Sequence, residues 1–163
     1  HAETSISNVS FAGGVFEFDL DLTNTHPNND YLPLVEFKIV KIASSSGTVE
    51  VINADNGGDG THPQNAALFD YSDQLGSDSV FSVGETTGTR HLQFADPAAE
   101  LFTFKARVTA YTGDAAATNG EPAAAGSESG SAGDDPDTLT QLLEFTVNPL
   151  TGSVIVELVE DIL

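Results

Sequence analysis

The stretch that decides the fold is residues 15–22, which read VFEFDLDL. Large apolar side chains alternate there with carboxylates. The apolar positions are Phe16, Phe18, Leu20 and Leu22, and the acidic positions between them are Glu17, Asp19 and Asp21. Because successive side chains of a β-strand point to opposite faces, this alternation predicts a strand with one buried and one solvated face.

Similar short segments recur along the chain, with Gly, Asn, Asp and Pro between them. The predicted strands cover residues 6–11, 15–22, 34–42, 48–52, 89–94, 101–111, 142–148 and 153–163, and residues 67–71 form a short apolar segment. In the segment 34–42, the alternation places Val35, Phe37 and Ile39 on one face, with Lys41 as a candidate fourth member. Short strands about ten residues apart with turn signals between them predict an all-β, antiparallel sandwich of about seven to nine strands.

The chain is expected to form one domain over residues 1–163. Its core is predicted over 6–111, a long flexible acidic loop over 112–138, and a C-terminal strand pair over 139–163. The loop segment is rich in Ala, Gly, Ser, Asp and Glu and lacks large apolar residues, which is typical of a linker.

The last predicted strand is apolar on both faces. Val154, Val156 and Leu158 lie on one face, with Glu160 as a candidate fourth member, and Ile155, Glu157 and Val159 lie on the other, so both faces are largely apolar. A strand of this kind is usually buried between two layers. Two alternatives stay open: the strand pairs within its own sandwich, or Val154, Val156 and Leu158 form an assembly strand that completes the sheet of a neighbouring copy. The N-terminal segment 2–9 is a competing donor.

The composition excludes several classes of protein. Five basic residues stand against 25 acidic ones, for a formal charge of −20, which disfavours nucleic acids and anionic membranes as partners. The absence of Cys excludes disulfides and thiolate metal sites. No apolar run of about 18 residues is present, so no membrane insertion is expected. No signal-peptide pattern opens the chain. Because the sequence contains no Met, residue 1 is expected to be a processed end or the start of a fragment.

Five segments resemble a known protein family. The resemblance covers residues 16–108, and the last segment continues to residue 111. The segments read FEFDLDLTNT, VINADNGG, FDYS, VGETTGTRHLQF and FTFKARVTAY. In their order and spacing they resemble the immunoglobulin-like or fibronectin-like β-sandwich module of bacterial secreted and cell-surface proteins. The resemblance implies a seven-stranded sandwich that is appended to enzymes or adhesins, has no chemistry of its own, and is extracellular or at the cell surface.

The loop NADNGGDG at residues 53–60 is the best candidate metal site. Calcium prefers six to eight oxygen ligands, and carboxylates, amides and carbonyls alternate here with glycines. The candidate ligands are Asn53, Asp55, Asn56, Asp59 and Asp70, with Asp73 and Asp78 as further carboxylates from the following loop. The alternative is a polar turn held by Asx hydrogen bonds. Calcium is therefore the candidate cofactor of this loop.

Catalytic patterns are weak in this sequence. No nucleophile, phosphate-binding or zinc-protease motif is present, so the chain is not expected to be an enzyme. A remote alternative is a copper oxygenase, in which His1 and either His26 or His62 would form a histidine brace. The lack of Cys and Trp argues against it. Glu85 is expected to accept backbone N–H bonds in its turn and to pair with Arg90.

These observations favour a non-catalytic extracellular structural module, such as a self-assembling surface-layer or filament subunit. Its expected partners are further copies of itself or other surface proteins. The alternative is a calcium-dependent carbohydrate-binding or adhesin module, with a polysaccharide as partner. That function needs an exposed aromatic platform, for which Tyr31, Tyr71 and Tyr111 are the polar candidates.

Overall fold

The computed structural model describes residues 2–112 and 138–162. Nine strands form two antiparallel sheets, which confirms the predicted antiparallel β-sandwich. The strands are β1 (Ala2–Ala12), β2 (Val15–Asn24), β3 (Tyr31–Ser44), β4 (Glu50–Val51), β5 (Ala67–Asp70), β6 (Arg90–Ala95), β7 (Phe102–Thr112), β8 (Thr138–Asn148) and β9 (Ser153–Ile162). Two 3-10 turns, Pro63–Asn65 and Ser72–Gln74, are the helical elements of the described residues, and neither is long and apolar enough to span a membrane.

One sheet has the strand order β1-β2-β6-β4 and the other has the order β5-β3-β7-β8-β9. We call them the four-stranded and the five-stranded sheet. The predicted loop 112–138 lies outside the described residues, apart from Thr112 and Thr138, which end β7 and begin β8.

The core lies between the two sheets and is built mainly from phenylalanine. In β2 the predicted alternation is confirmed, because Phe16, Phe18, Leu20 and Leu22 are all fully buried. The ring of Phe104 stacks on Phe145 at 4.4 Å between centroids and meets Phe94 of the opposite sheet at 5.0 Å. These rings therefore join the five-stranded sheet to the four-stranded one.

A bulge in β3 corrects one detail of the sequence prediction. The pairing of β3 with β7 shifts register between Ile39 and Lys41. Ile39 and Val40 are both buried, and Lys41 is exposed on the outer face. The expectation that Lys41 shares a face with Val35, Phe37 and Ile39 is therefore wrong, because one extra residue reverses the alternation beyond this point.

The final strand, β9, forms the edge of the five-stranded sheet. It pairs with β8 of the same chain, from Ser153 opposite Asn148 to Ile162 opposite Thr140. The expectation that β9 is buried between two layers is wrong. The opposite sheet is one strand narrower, so the outermost strand of the wider sheet is covered only in part.

Candidate functional site

The open edge of β9 is the most exposed apolar strand surface of the described chain. Its pairing partner β8 occupies one side, and no strand of the described residues occupies the other. Ile155, Leu158 and Val159 are 56%, 53% and 47% exposed. A long edge with apolar side chains and unpaired backbone groups is a template for the addition of another strand.

The predicted assembly residues divide between the core and this edge. Val154 and Val156 are partly buried and pack against the core, whereas Leu158 is half exposed. Val156 and Leu158 line a groove of about 380 Å³ between β9 and the first residues of β1. At the end of this groove the backbone N–H of Ala2 donates to Oε1 of Gln141 at 2.7 Å.

The other sheet edges are less suited to strand addition. β4 has two residues and β5 has four. β1 is long, but its pairing with β2 shifts between Ser7 and Ser10, and Asn8 has a φ of 51°. Short edges and bulges are the devices by which proteins protect sheet edges. β9 carries a register shift only near Leu158, so its first six residues form a regular strand.

The loop predicted to bind calcium is held in place by hydrogen bonds between protein groups. Arg90 of β6 donates to both carboxylate oxygens of Asp55, at 2.9 Å and 2.5 Å, and to the carbonyl of Asp70 at 2.6 Å. Asp55 also accepts the backbone N–H of Asp70 at 2.8 Å. The hydrogen bonds from Arg90 hold the pKa of Asp55 below its ordinary value. The ionised carboxylate of Asp55 therefore connects its loop to β5 and β6 through hydrogen bonds.

The remaining candidate ligands accept backbone N–H groups. Oδ1 of Asn56 accepts from Gly58 and Leu68, Oδ1 of Asp59 from Thr61, Oδ1 of Asn53 from Gln93, and Oδ1 of Asp70 from Ser72. Asp55, Asn56 and Asp70 line one polar pocket together with Asp73, and Asn53 and Asp59 lie outside its lining. Among residues 2–112 and 138–162, no group of three His or acidic side chains is placed to hold a metal ion. Calcium binding stays a prediction from the sequence.

Glu85 accepts backbone N–H groups as the sequence predicts, but it does not form the predicted pair with Arg90. Its carboxylate oxygens accept the backbone N–H groups of Gly76 and Ser82, both at 3.0 Å. Arg90, however, pairs with Asp55 and not with Glu85. The sequence pattern does not indicate this pair, because Asp55 lies 35 positions away from Arg90, across two 3-10 turns and a strand.

Two of the three tyrosines proposed as a carbohydrate platform lie in the core. Tyr31 is 2% exposed and Tyr71 is fully buried, and the Tyr71 hydroxyl donates to the carbonyl of Leu20 at 2.7 Å. The side chain of Tyr111 lies outside the described residues. No aromatic residue is among the exposed large apolar side chains of the described chain.

The histidines proposed for a copper brace are placed only in part. His1 lies outside the described residues. Nδ1 of His26 accepts the backbone N–H groups of Asn28 and Asn29, at 3.0 Å and 2.9 Å, and His62 is exposed in a loop. Because His1 is not among the described residues, the structure does not test the copper-brace hypothesis.

A polar cluster centred on His91 covers the outer face of the four-stranded sheet. Nδ1 of His91 lies 2.6 Å from Asp19 and Nε2 lies 3.0 Å from Glu17. Asn8 donates to Asp19 and Gln93 donates to Glu17, both at 2.8 Å. The Asp19 carboxylate first, and then Glu17, raises the pKa of His91. The pKa of Glu17 is lowered by Gln93 and then His91, and that of Asp19 by Asn8 and then His91.

These shifts predict that folding stability depends on His91. A raised pKa means that the folded state binds the His91 proton more tightly, so its stabilisation is complete below the ordinary histidine pKa of about 6.5. It is lost as the pH rises through the higher pKa of the folded state. We expect the melting temperature to fall between about pH 6 and about pH 8, and this component of the fall to be absent from His91→Gln.

The matched control is His62→Gln, because His62 is exposed in a loop and forms no salt bridge with a carboxylate in the part of the chain that the structure describes. Its charge is the smallest of the influences that lower the pKa of Asp59. Thermal unfolding of the three proteins at both pH values measures the effect. An equal pH dependence in the wild type and His91→Gln would contradict the assignment.

Comparison with protein families, curated proteins and solved structures gives no match to this chain.

Proposed function

We propose that this chain is a non-catalytic structural module of an extracellular or cell-surface assembly, and that it associates with further copies through the open edge of β9. The observation that carries the proposal is the combination of an edge with which no strand of residues 2–112 or 138–152 pairs on its outer side and the exposed side chains of Ile155, Leu158 and Val159. Backbone hydrogen bonds across such an edge supply affinity, and burial of the apolar side chains adds to it.

The order in which the strands pair supports the proposal that this β-sandwich is an immunoglobulin-like module. β2 pairs with β6 in one sheet and β3 pairs with β7 in the other. In sandwiches of the immunoglobulin type, consecutive strands of the chain are likewise divided between two sheets and pair within each of them. The extracellular location rests on this resemblance and on the acidic composition, since a net charge of −20 keeps such a module soluble.

Edge addition is a simpler route to assembly than donation of the whole strand. Leu143, Phe145 and Val147 of β8 are buried and lie opposite Leu158, Val156 and Val154 of β9. Release of β9 into a neighbour would uncover this part of the core. Pairing of two β9 edges leaves each sandwich intact and brings Ile155 and Val159 beside the side chains of the second copy. Such an isologous contact closes as a dimer, so growth into a larger assembly needs a second contact between dimers.

We expect the substitution Ile155→Lys to weaken self-association by about tenfold or more, because a charged residue on an edge strand opposes pairing. Light scattering after size-exclusion chromatography, over a range of protein concentrations, measures the oligomeric state. Electron microscopy of the same samples shows whether regular filaments or layers form.

The matched control is Ile52→Lys, because Ile52 is 49% exposed and lies next to β4 in the other sheet. Both substitutions add one positive charge in place of an exposed isoleucine, so a general effect of charge changes both proteins alike. A wild-type protein that is monomeric at every concentration, or an Ile155→Lys protein that associates as the wild type does, would refute the proposal.

A further inference from the structure

One carboxyl group of the described chain is buried without a full set of hydrogen bonds. Asp96 directly follows β6 and has no exposed surface. Its Oδ1 accepts the backbone N–H of Glu100 at 3.0 Å. Within residues 2–112 and 138–162, Oδ2 of Asp96 is the only buried polar side-chain atom that has no hydrogen-bond partner. A carboxylate in this position is unfavourable, because its charge is neither solvated nor fully paired.

Asp96 lies where three turns of the chain meet. Its N–H donates to the carbonyl of Gly14, in the turn between β1 and β2, at 2.7 Å. Its own carbonyl accepts the N–H of Ala99 at 3.0 Å, between β6 and β7. The carboxylate of Glu100 accepts the N–H of Ser46, in the loop after β3, at 2.9 Å, and also the Ser46 hydroxyl. We define the three-turn corner as residues 13–14, 44–48 and 96–100.

The three-turn corner contains no positively charged residue. Segments 13–14 and 44–48 consist of Gly, Ser and Thr, and the second titratable group of segment 96–100 is Glu100. The nearest charge of β4 is Glu50, which stands opposite Ala95 of β6 and is exposed. Burial raises the pKa of Asp96; the N–H of Glu100 opposes this rise and the negative charge of Glu100 adds to it.

We propose that Asp96 is a pH-sensitive switch, whose carboxyl group is protonated in the closed three-turn corner and whose ionisation loosens the contacts among the three turns. A neutral carboxyl group costs much less to bury than a carboxylate. Loss of the proton places a second negative charge beside Glu100 in a site with no cation of its own, and opening of the corner lets water solvate that charge. The switch is independent of the β9 edge and of self-association.

The sign of the pH effect follows from the direction of the pKa change. The folded-state pKa of Asp96 lies above its ordinary value of 3.8, so the folded state binds this proton more tightly than the unfolded state does. The stabilisation is therefore complete below the ordinary value and is lost as the pH rises through the folded-state pKa. The His91 proton is lost in a higher range, above about pH 6.5.

The substitution Asp96→Asn tests the switch, because asparagine has nearly the same shape, keeps the acceptor Oδ1 and cannot ionise. At about pH 7 we expect the midpoint of urea denaturation to be higher in Asp96→Asn than in the wild type, by about 0.5 M or more. Below pH 3.8 the difference should disappear. The matched control is Asp73→Asn, because Asp73 is exposed and its replacement also removes one negative charge.

Hydrogen exchange at Ser46 shows whether the corner itself opens. Ser46 is far from Asp96 in the sequence, so the substitution leaves its intrinsic exchange rate unchanged. At about pH 7 we expect the Ser46 amide to exchange about threefold faster or more in the wild type than in Asp96→Asn. The control amide is that of Gly152, which donates to Asn148 in the turn between β8 and β9 and should exchange equally in both proteins.

NMR titration of the carboxyl carbon of Asp96 in the wild type measures its protonation directly. We expect it to titrate above pH 3.8, and closer to 3.8 in Glu100→Gln, because the neighbouring charge is removed. Titration at or below 3.8 would overturn the proposal.

Two further results would also overturn it. One is an Asp96→Asn protein that is no more stable than the wild type at about pH 7. The other is calcium that stabilises the wild type but not Asp96→Asn, because Oδ2 would then bind a cation and not a proton. All of these measurements can be made in the Ile155→Lys background, so they are separate from the test of the β9 edge.

Discussion

Replacing Phe104 with alanine is expected to lower the free energy of unfolding by about 3–5 kcal/mol, the range measured for buried phenylalanines. Phe104 is 1% exposed and stacks on Phe145 at 4.4 Å between ring centroids. It also meets Phe94 and Phe18 of the opposite sheet, at 5.0 Å and 6.5 Å. Alanine at this position would leave a cavity where the two sheets meet, and the loss comprises both the transfer of the ring and the unfilled space.

Urea denaturation followed by circular dichroism measures this loss. The control is Phe11→Ala, because Phe11 in β1 is only partly buried against the same core. The Phe11 variant should lose clearly less stability, since less apolar surface is returned to water. If the two variants are equally stable, the stack around Phe104 is not the main link between the sheets.

Replacing Arg90 with alanine is the second large effect that we expect, at about 2 kcal/mol of unfolding free energy. Arg90 makes both hydrogen bonds to Asp55 and one to the carbonyl of Asp70, and its guanidinium lies 5.8 Å from the centroid of the Phe69 ring. The side chains of Arg90 and Asp55 are 23% and 34% exposed, so solvent screening keeps the effect below that of a fully buried pair.

A double-mutant cycle separates the ion pair from the packing of the side chain. It uses Arg90→Ala, Asp55→Asn and the combination of both, with chemical denaturation as the measurement. We expect a coupling energy between the two positions of about 1 kcal/mol or more. Arg90→Lys should restore only part of the loss, because an ammonium group cannot bind both carboxylate oxygens of Asp55 as the guanidinium does. Additive effects of the two substitutions would show that the pair does not stabilise the loop.

The sequence predicts the strands best where one face is wholly buried and the other is polar. In β2 every second residue is fully buried, so the period of two is visible without knowledge of the neighbours. In β3 the bulge falls between Ile39 and Lys41, and Val40 adds another apolar residue there. A run of apolar side chains carries no mark of an inserted residue, so the outward position of Lys41 could not be read from the pattern.

The position of β9 at a sheet edge and the neighbours of each strand depend on pairing between segments that are distant in the sequence. A strand with two apolar faces has the same pattern at the centre and at the edge of a sheet, so the position of β9 depends on the relative widths of the two sheets. Lys105 and Arg107 are two residues apart in β7, so the alternation of a strand alone places them on one face. The pairing of β3 with β7, which brings Lys38 and Lys41 beside them, required the structure.

The corner of the sandwich where Ala2 meets Gln141 has a consequence for the connectivity of the chain. The N–H of Ala2 donates to Gln141, and Gln141 stands opposite Asp161 in the pairing of β8 with β9. The points at which the polypeptide enters and leaves the described fold are therefore neighbours. A short linker from β9 to β1, with the chain opened between β7 and β8, would give a circular permutant with the same strands. The same geometry allows the sandwich to be inserted into a surface loop of a host protein without separating the two ends of that loop.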